Sequence, residues 1–151
     1  MGVDQAPGMA AQARAKRIAD SVEDIGLQEL AFDGEFDGVM VVDAMENVPP
    51  EDWPIVLANL RRALRPGGHL YLTLEEQDEA DTASTFQQLS ASGAPAVVGE
   101  VIEGDVAGYH YYPGRAQALA WIADAGFEPV AEDYDQQAGW GYRHLFLRSM
   151  T

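Results

Sequence analysis

A chain of 151 residues with 47% hydrophobic and 23% charged side chains suffices for one globular domain and is too apolar for a disordered one. Its formal net charge of −16 argues against nucleic-acid or anionic membrane partners, and the absence of cysteine excludes disulfides, thiolate metal sites and a cysteine nucleophile. A reducing cytoplasm is the simplest compartment; no apolar run approaches a membrane span, and no signal-peptide core follows the start.

The first predicted helix runs from Pro7 to Asp20, with Met9, Ala13 and Ile18 as a thin apolar stripe and Arg14, Lys16 and Arg17 toward its C-terminal end. Val22 to Leu27 reads as a short strand. "FDGEFDG" then supplies turn chemistry through Asp33, Gly34, Asp37 and Gly38. The run Val39 to Val42 fits a strand covered on both faces, as in a parallel sheet. Pro49-Pro50-Glu51-Asp52-Trp53 opens a helix whose buried face is Ile55, Leu57, Leu60, Ala63 and Leu64, and Pro66-Gly67-Gly68 stops it. The densest basic group, Arg61, Arg62 and Arg65, is expected on this helix.

His69 to Leu74 is the next strand, "EEQDEAD" a charged loop, and Thr82 to Ser92 a helix. Val97 to Val101 and Gly108 to Tyr112 are short strands that form a hairpin or an inserted lid. Arg115 to Ala125 is a helix, with Ala118, Leu119, Ile122 and Ala123 at helical spacing and Gly126 as its cap. Phe127 to Tyr134 and Tyr142 to Arg148 close the chain as two strands; their short link, "DQQAGWG", makes them antiparallel. This alternation predicts one α/β domain over residues 1–151, its sheet mostly parallel with an antiparallel C-terminal strand pair.

The block "FDGVMVVDAMENVPPEDWPIVLANLRRALRPGGHLYLTL" resembles the second half of the class I S-adenosylmethionine-dependent methyltransferases. "LRPGGHLYLT" is its most family-like piece. "GVDQAPGMAAQARAK" resembles the family's acidic loop after its second strand and the helix beyond. "WIADAGFEPVAE" resembles the late helix, turn and penultimate strand. The likeness covers nearly the whole chain. It implies a Rossmann-like sheet, S-adenosylmethionine as cofactor, and methyl transfer to a small-molecule oxygen, nitrogen or carbon.

The resemblance also implies residue roles. Asp4, with Gln5 beside it, would accept the ribose hydroxyls; taken alone, without the wider pattern, Asp4 reads as a helix cap or turn residue. Met9 would pack on the adenine face or on the sheet. Gly26, Leu27 and Gln28 occupy the place of an acidic residue that meets the adenine amine, and Gln28 or a backbone carbonyl would substitute for it. Asp43, Ala44 and Met45 resemble the loop that faces the methionine part, whereas Glu46 is expected in solvent. Methyl transfer needs mainly in-line placement and exclusion of water, so no strict catalytic motif is expected.

For the acceptor, "GYHYYPGR" offers aromatic walls in Tyr109 and Tyr112, candidate catalytic groups in His110 and Tyr111, and an anion partner in Arg115. Strand packing is the competing account of the tyrosines. Trp140, with His144, is a second wall or a sheet-edge contact. His69, His110 and His144 lack zinc spacing, and "EEQDEAD" lacks carboxylates spread over strand ends, so no metal is expected.

The family's first strand and its Gly-rich loop have no counterpart here, and "RPGGH" leads into a strand rather than out of one. That strand is central in the family's sheet. The expectation is therefore an N-terminally truncated or rearranged domain, a piece of a longer protein, a late start codon, or a homodimer in which a second copy fills the gap. A truncated chain is expected to be inactive. The alternative to a methyltransferase is a non-catalytic dimerisation or regulatory module on the same scaffold.

Overall fold

The computed structural model describes residues 1–17, 19–93, 95–103 and 108–150, so Ile18 lies outside the described residues. The chain begins with strand β1 (Gly2–Val3), helix α1 (Pro7–Lys16) and strand β2 (Val22–Glu23). Strands β1 and β2 pair in parallel, Gly2 with Val22 and Val3 with Glu23. Next come β3 (Phe36–Val41), α2 (Trp53–Ala63) and β4 (Leu64–Gln77). Helix α3 (Glu79–Ala91) precedes the antiparallel pair β5 (Glu100–Glu103) and β6 (Gly108–Tyr111). Helix α4 (Gly114–Asp124), β7 (Phe127–Gln136) and β8 (Trp140–Ser149) complete the fold.

The main sheet has the order β3-β4-β8-β7 and is mixed. Strands β3 and β4 are parallel, while β8 runs antiparallel to both β4 and β7. The expected antiparallel C-terminal pair is thus present. The β1–β2 ladder forms its own sheet.

The core lies on one face of the main sheet. Leu70, Leu72 and Leu74 of β4 and Leu145 and Leu147 of β8 alternate inward at the period of a strand. Val56, Leu57 and Leu60 of α2 and Ala118 and Ile122 of α4 share their cluster. Each such leucine contributes about 2 kcal/mol by leaving water. Trp53 is the largest fully buried side chain; its ring centroid lies 5.4 Å from that of Trp121, and its indole N–H donates to the Val48 carbonyl at 3.1 Å.

Several expectations change. The buried stripe of α2 passes through Trp53, Val56, Leu57 and Leu60, whereas Ile55 is 50% exposed, because the helix turns residue 55 away from the sheet. Leu64 to Gly68 belong to β4, so Arg65 is a strand residue. Gly68 is needed for close packing: a Cβ there would meet the Arg65 carbonyl at 3.0 Å and the Asp37 carbonyl at 3.1 Å. The run Val39 to Val42 is covered on one face only. Met40 is 72% exposed, and Val42, Val130 and Phe146 are exposed as well.

The basic cluster binds internal acceptors. Arg61 donates to the Met150 carbonyl, Arg62 to the Leu30 carbonyl at 2.5 Å, and Arg65 to both Asp37 oxygens at 2.7 Å. Among the described residues, no helix is long and apolar enough to cross a membrane.

Candidate functional site

Two strands that do not pair with each other end at one cleft of about 270 Å³. Asp4 and Gln5 leave β1, Val42 to Ala44 leave β3, and Gly26 to Gln28 close the side. Strand ends release backbone groups and side chains from the ladder, which makes the carboxyl edge of an open α/β sheet its usual binding edge. A second, apolar slot of about 400 Å³ lies between the bodies of the same strands, with Gly2 and Val3 on one side and Gly38 to Val41 on the other. Both strands therefore run toward the cleft, with an open slot between them.

Local chemistry places the wall residues. Asp4 accepts the Ala6 amide N–H at 2.8 Å, which turns the chain from β1 into α1. The turn Leu27–Glu29 is held from beneath by Asn59 of α2, which is buried and donates to the carbonyls of Leu27 at 3.2 Å and Gln28 at 2.9 Å. The Gln28 side-chain amide donates to Asp52 at 3.2 Å. Gly26 sits between two amide oxygens: a Cβ there would stand 3.3 Å from Oε1 of both Gln5 and Gln28. An added methyl group would thus intrude between them.

Asp43 turns the chain out of β3 with φ +47, a left-handed conformation that few non-glycine residues adopt. Its amide N–H donates to the Thr73 hydroxyl at 3.0 Å. Around this turn the groups are mostly acidic. Glu46 is half-buried rather than solvated; burial pushes its carboxyl above the ordinary value of 4.5, and Asp43 and Glu75 add to the rise. The Tyr142 phenol is pushed up to about 12 by burial and by Asp43 and Glu75.

Of the cofactor candidates, Asp4, Gln5, Leu27, Gln28, Asp43 and Ala44 line the one cleft. Met9 and Met45 do not. Met9 is 55% exposed, Ala10 being the buried position of α1, and it does not line the cleft. Met45 is 1% exposed, packed in the hydrophobic core by the turn that follows β3.

The acceptor candidates separate into different surroundings. Tyr111 is buried beside Trp53 and Trp121, each ring centroid at 6.4 Å, so it is a core residue. Tyr109 donates to Glu100 at 3.0 Å, and burial, reinforced by this contact, holds its phenol well above the usual tyrosine range. His110 stacks on Tyr112 with centroids 6.1 Å apart, and its buried Nδ1 has no hydrogen-bond partner among the described residues. Strand β6 packs against the turn Met45–Asn47, which borders the cleft. Arg115, the expected anion partner, is engaged by Glu132 through two 2.9 Å bonds. Arg115 and Trp140 line a separate cleft of about 260 Å³ with Glu76 and Tyr134, and Trp140 meets Tyr142 edge to face at 5.2 Å. His144 bonds Tyr71 at 2.8 Å. Among the described residues, no three His, Asp or Glu side chains form a metal site.

Sequence reading missed Asn47, Asn59 and Thr73. Asn47 lines the cleft, and its place after the apolar strand was the available signal. Asn59 and Thr73 look like ordinary helix and strand positions; their roles exist only across elements.

Residues 1–72 match the model of a methyltransferase domain family. No curated protein matches the sequence. Among solved structures, an S-adenosylmethionine-dependent methyltransferase from Methanosarcina mazei superposes with a TM-score of 0.77 at 16% identity, over 99% of this chain and 81% of that one. The 1,6-didemethyltoxoflavin-N1-methyltransferase of Burkholderia thailandensis, with bound 1,6-didemethyltoxoflavin and S-adenosylhomocysteine, gives 0.69 at 19% identity, over 99% and 60%. The magnesium protoporphyrin IX methyltransferase of Synechocystis, with bound S-adenosylhomocysteine, gives 0.67 at 17% identity, over 98% and 62%. At these identities the likeness establishes the fold.

Proposed function

We propose that this chain, related by its match over residues 1–72 and by its fold to the class I S-adenosylmethionine-dependent methyltransferases, binds S-adenosylmethionine in the cleft between β1 and β3 and methylates a small molecule. One observation carries the reading: Asp4 and Asp43, at the carboxyl ends of two strands that belong to different sheets, line the same cleft.

The residues present fit a nucleoside. A carboxylate at a strand tip accepts a pair of ribose hydroxyls, and the side-chain amides of Gln5 and Gln28 meet the polar rim of a base. Gly26 leaves room between those amides. When bound, the cofactor supplies a methyl group activated on a sulfonium. The acidic surroundings of Asp43, Glu46 and Glu75 suit that positive charge. Strand β6 lies against the turn that borders the cleft, which supports Tyr109, His110 and Tyr112 as the acceptor side, with His110 as the group that takes a proton from the acceptor.

Calorimetric titration with S-adenosylhomocysteine tests the reading. One-to-one binding supports it; no heat at millimolar ligand overturns it.

A second reading is favoured by the apolar slot between β1 and β3 and by the exposed Met40, Val42, Val130 and Phe146. An open sheet edge and an uncovered apolar face suit a non-catalytic module that pairs with a second copy. Light scattering at increasing concentration decides: a dimer dispersed by Phe146→Glu, with no cofactor binding, would replace the first reading.

A further inference from the structure

We infer that Thr73 is a positioning residue of the cofactor cleft: its hydroxyl accepts the Asp43 amide N–H and fixes the left-handed turn that delivers Asp43 and Ala44 to the cleft wall. The inference rests on the cofactor reading above.

From Gly38 opposite His69, strands β3 and β4 remain in register as far as Val41 opposite Leu72. Beyond that pair β3 must leave the sheet for its side chains to reach the cleft. A residue that leaves a parallel ladder gives up a backbone acceptor, and its N–H needs another partner. Thr73, the residue after Leu72 on β4, supplies one from its side chain at 3.0 Å. The hydroxyl is well held, since Thr73 is only 4% exposed in a strand where β-branched side chains have restricted rotamers.

The same bond explains how Asp43 tolerates its backbone conformation. Left-handed φ costs an L-residue free energy, less for aspartate than for most, and such strain persists where surroundings impose it. With the amide tethered, Asp43 has one direction of exit. Val42, Asp43 and Ala44 then all line the cleft, while Thr73 does not. Thr73 therefore acts through Asp43 and not by touching a ligand. The Tyr142 phenol, raised by burial and by the neighbouring Asp43, belongs to the same surroundings.

The test uses Thr73→Val, which keeps the shape and removes the acceptor, and Thr73→Ser, which keeps the hydroxyl. Affinity for S-adenosylhomocysteine should fall about tenfold in Thr73→Val and return most of the way in Thr73→Ser, as expected for one lost hydrogen bond. In an Asp43→Gly background, where the left-handed turn costs nothing, Thr73→Val should add little, because coupled residues are non-additive. Amide hydrogen exchange reads the tether without ligand: the Asp43 amide is protected in the parent chain and in Thr73→Ser, and exchanges faster in Thr73→Val.

Parent binding with Thr73→Val unchanged, equal losses in Thr73→Ser and Thr73→Val, or an undiminished effect in Asp43→Gly each overturns this inference alone. Failure of the parent chain to bind overturns the cofactor reading and, with it, any positioning role toward the cofactor, even with Asp43 protected.

Discussion

Asp4 and Asp43 face one cleft from the ends of two strands that share no hydrogen bond. The cleft thus depends on two separate sheets keeping their places. Asp4 is the group that sequence reading assigns to the ribose. Asp4→Ala should weaken S-adenosylhomocysteine binding by about tenfold to a hundredfold, the loss of a charge-assisted hydrogen-bonding partner. Thermal stability should change little, since the Ala6 amide it caps is exposed and water can replace the contact. Calorimetry and a melting curve on the same sample check both statements. An unchanged affinity would remove Asp4 from the site.

Asn59 supports the cleft without lining it. Its side-chain N–H groups satisfy the Leu27 and Gln28 carbonyls, and its oxygen accepts from Arg62 at 3.0 Å. Asn59→Leu leaves these groups without their partner and should destabilise the fold by about 2 kcal/mol, measured by urea unfolding. It should also weaken ligand binding, because Gln28 loses its anchor. A destabilised variant with full affinity would show that the turn finds its place without Asn59.

Glu46 makes stability depend on pH. Its folded pKa lies above the ordinary 4.5, chiefly through burial, with Asp43 and Glu75 adding to the rise and its own backbone N–H and His110 opposing it. The folded state therefore holds the proton more tightly than the unfolded state. Ionisation costs nothing below the unfolded value, and the penalty grows as pH rises from 4.5 through the raised folded value. Glu46→Gln should leave Tm unchanged at about pH 4 and raise it at neutral pH, where the buried carboxylate of the parent chain is ionised. A shift independent of pH would contradict this assignment.

Arg143 joins strands β4, β7 and β8. It forms a two-bond pair with Glu76, at 2.5 and 2.9 Å, also bonds Glu132, and lies 4.7 Å from the Tyr134 ring centroid. The Arg143 and Glu76 side chains are only 14% and 17% exposed, so Arg143→Ala leaves a poorly solvated carboxylate. The expected loss is about 2–4 kcal/mol, read from urea unfolding. Arg115→Ala should cost less, because Arg115 is exposed and Glu132 keeps Arg143. The Glu132 carboxyl is held below its ordinary value, first by Arg115, so this network weakens as pH falls through that lowered pKa.

Much of the architecture is legible in local pattern. Trp53, Leu57 and Leu60 mark a helix by spacing; Leu70, Leu72 and Leu74 mark a strand by alternation. The proline-rich entry to α2 and Gly126 after α4 mark boundaries, Gly126 through its positive φ of 84. The cleft was partly legible, since six of the eight cofactor candidates line it. Met9 and Met45 lie outside it for one reason. Each stands beside residues that do face the cleft or the core, and one residue of helical rotation or one step in a turn redirects a side chain entirely.

The sequence by itself determined the alternation of strands and helices, the apolar faces that seek each other, and the acidic residues at strand ends, because these follow from periodicity and turn chemistry within a few residues. Only the tertiary structure decided that β1 and β3 stand apart around an open slot, that one face of the main sheet stays uncovered, and that Arg115 is engaged by Glu132. It likewise decided that Thr73 reaches across to Asp43 and Asn59 to the Leu27–Glu29 turn. Such contacts join residues far apart in the chain, and their partners are set by how layers pack, which no local pattern encodes.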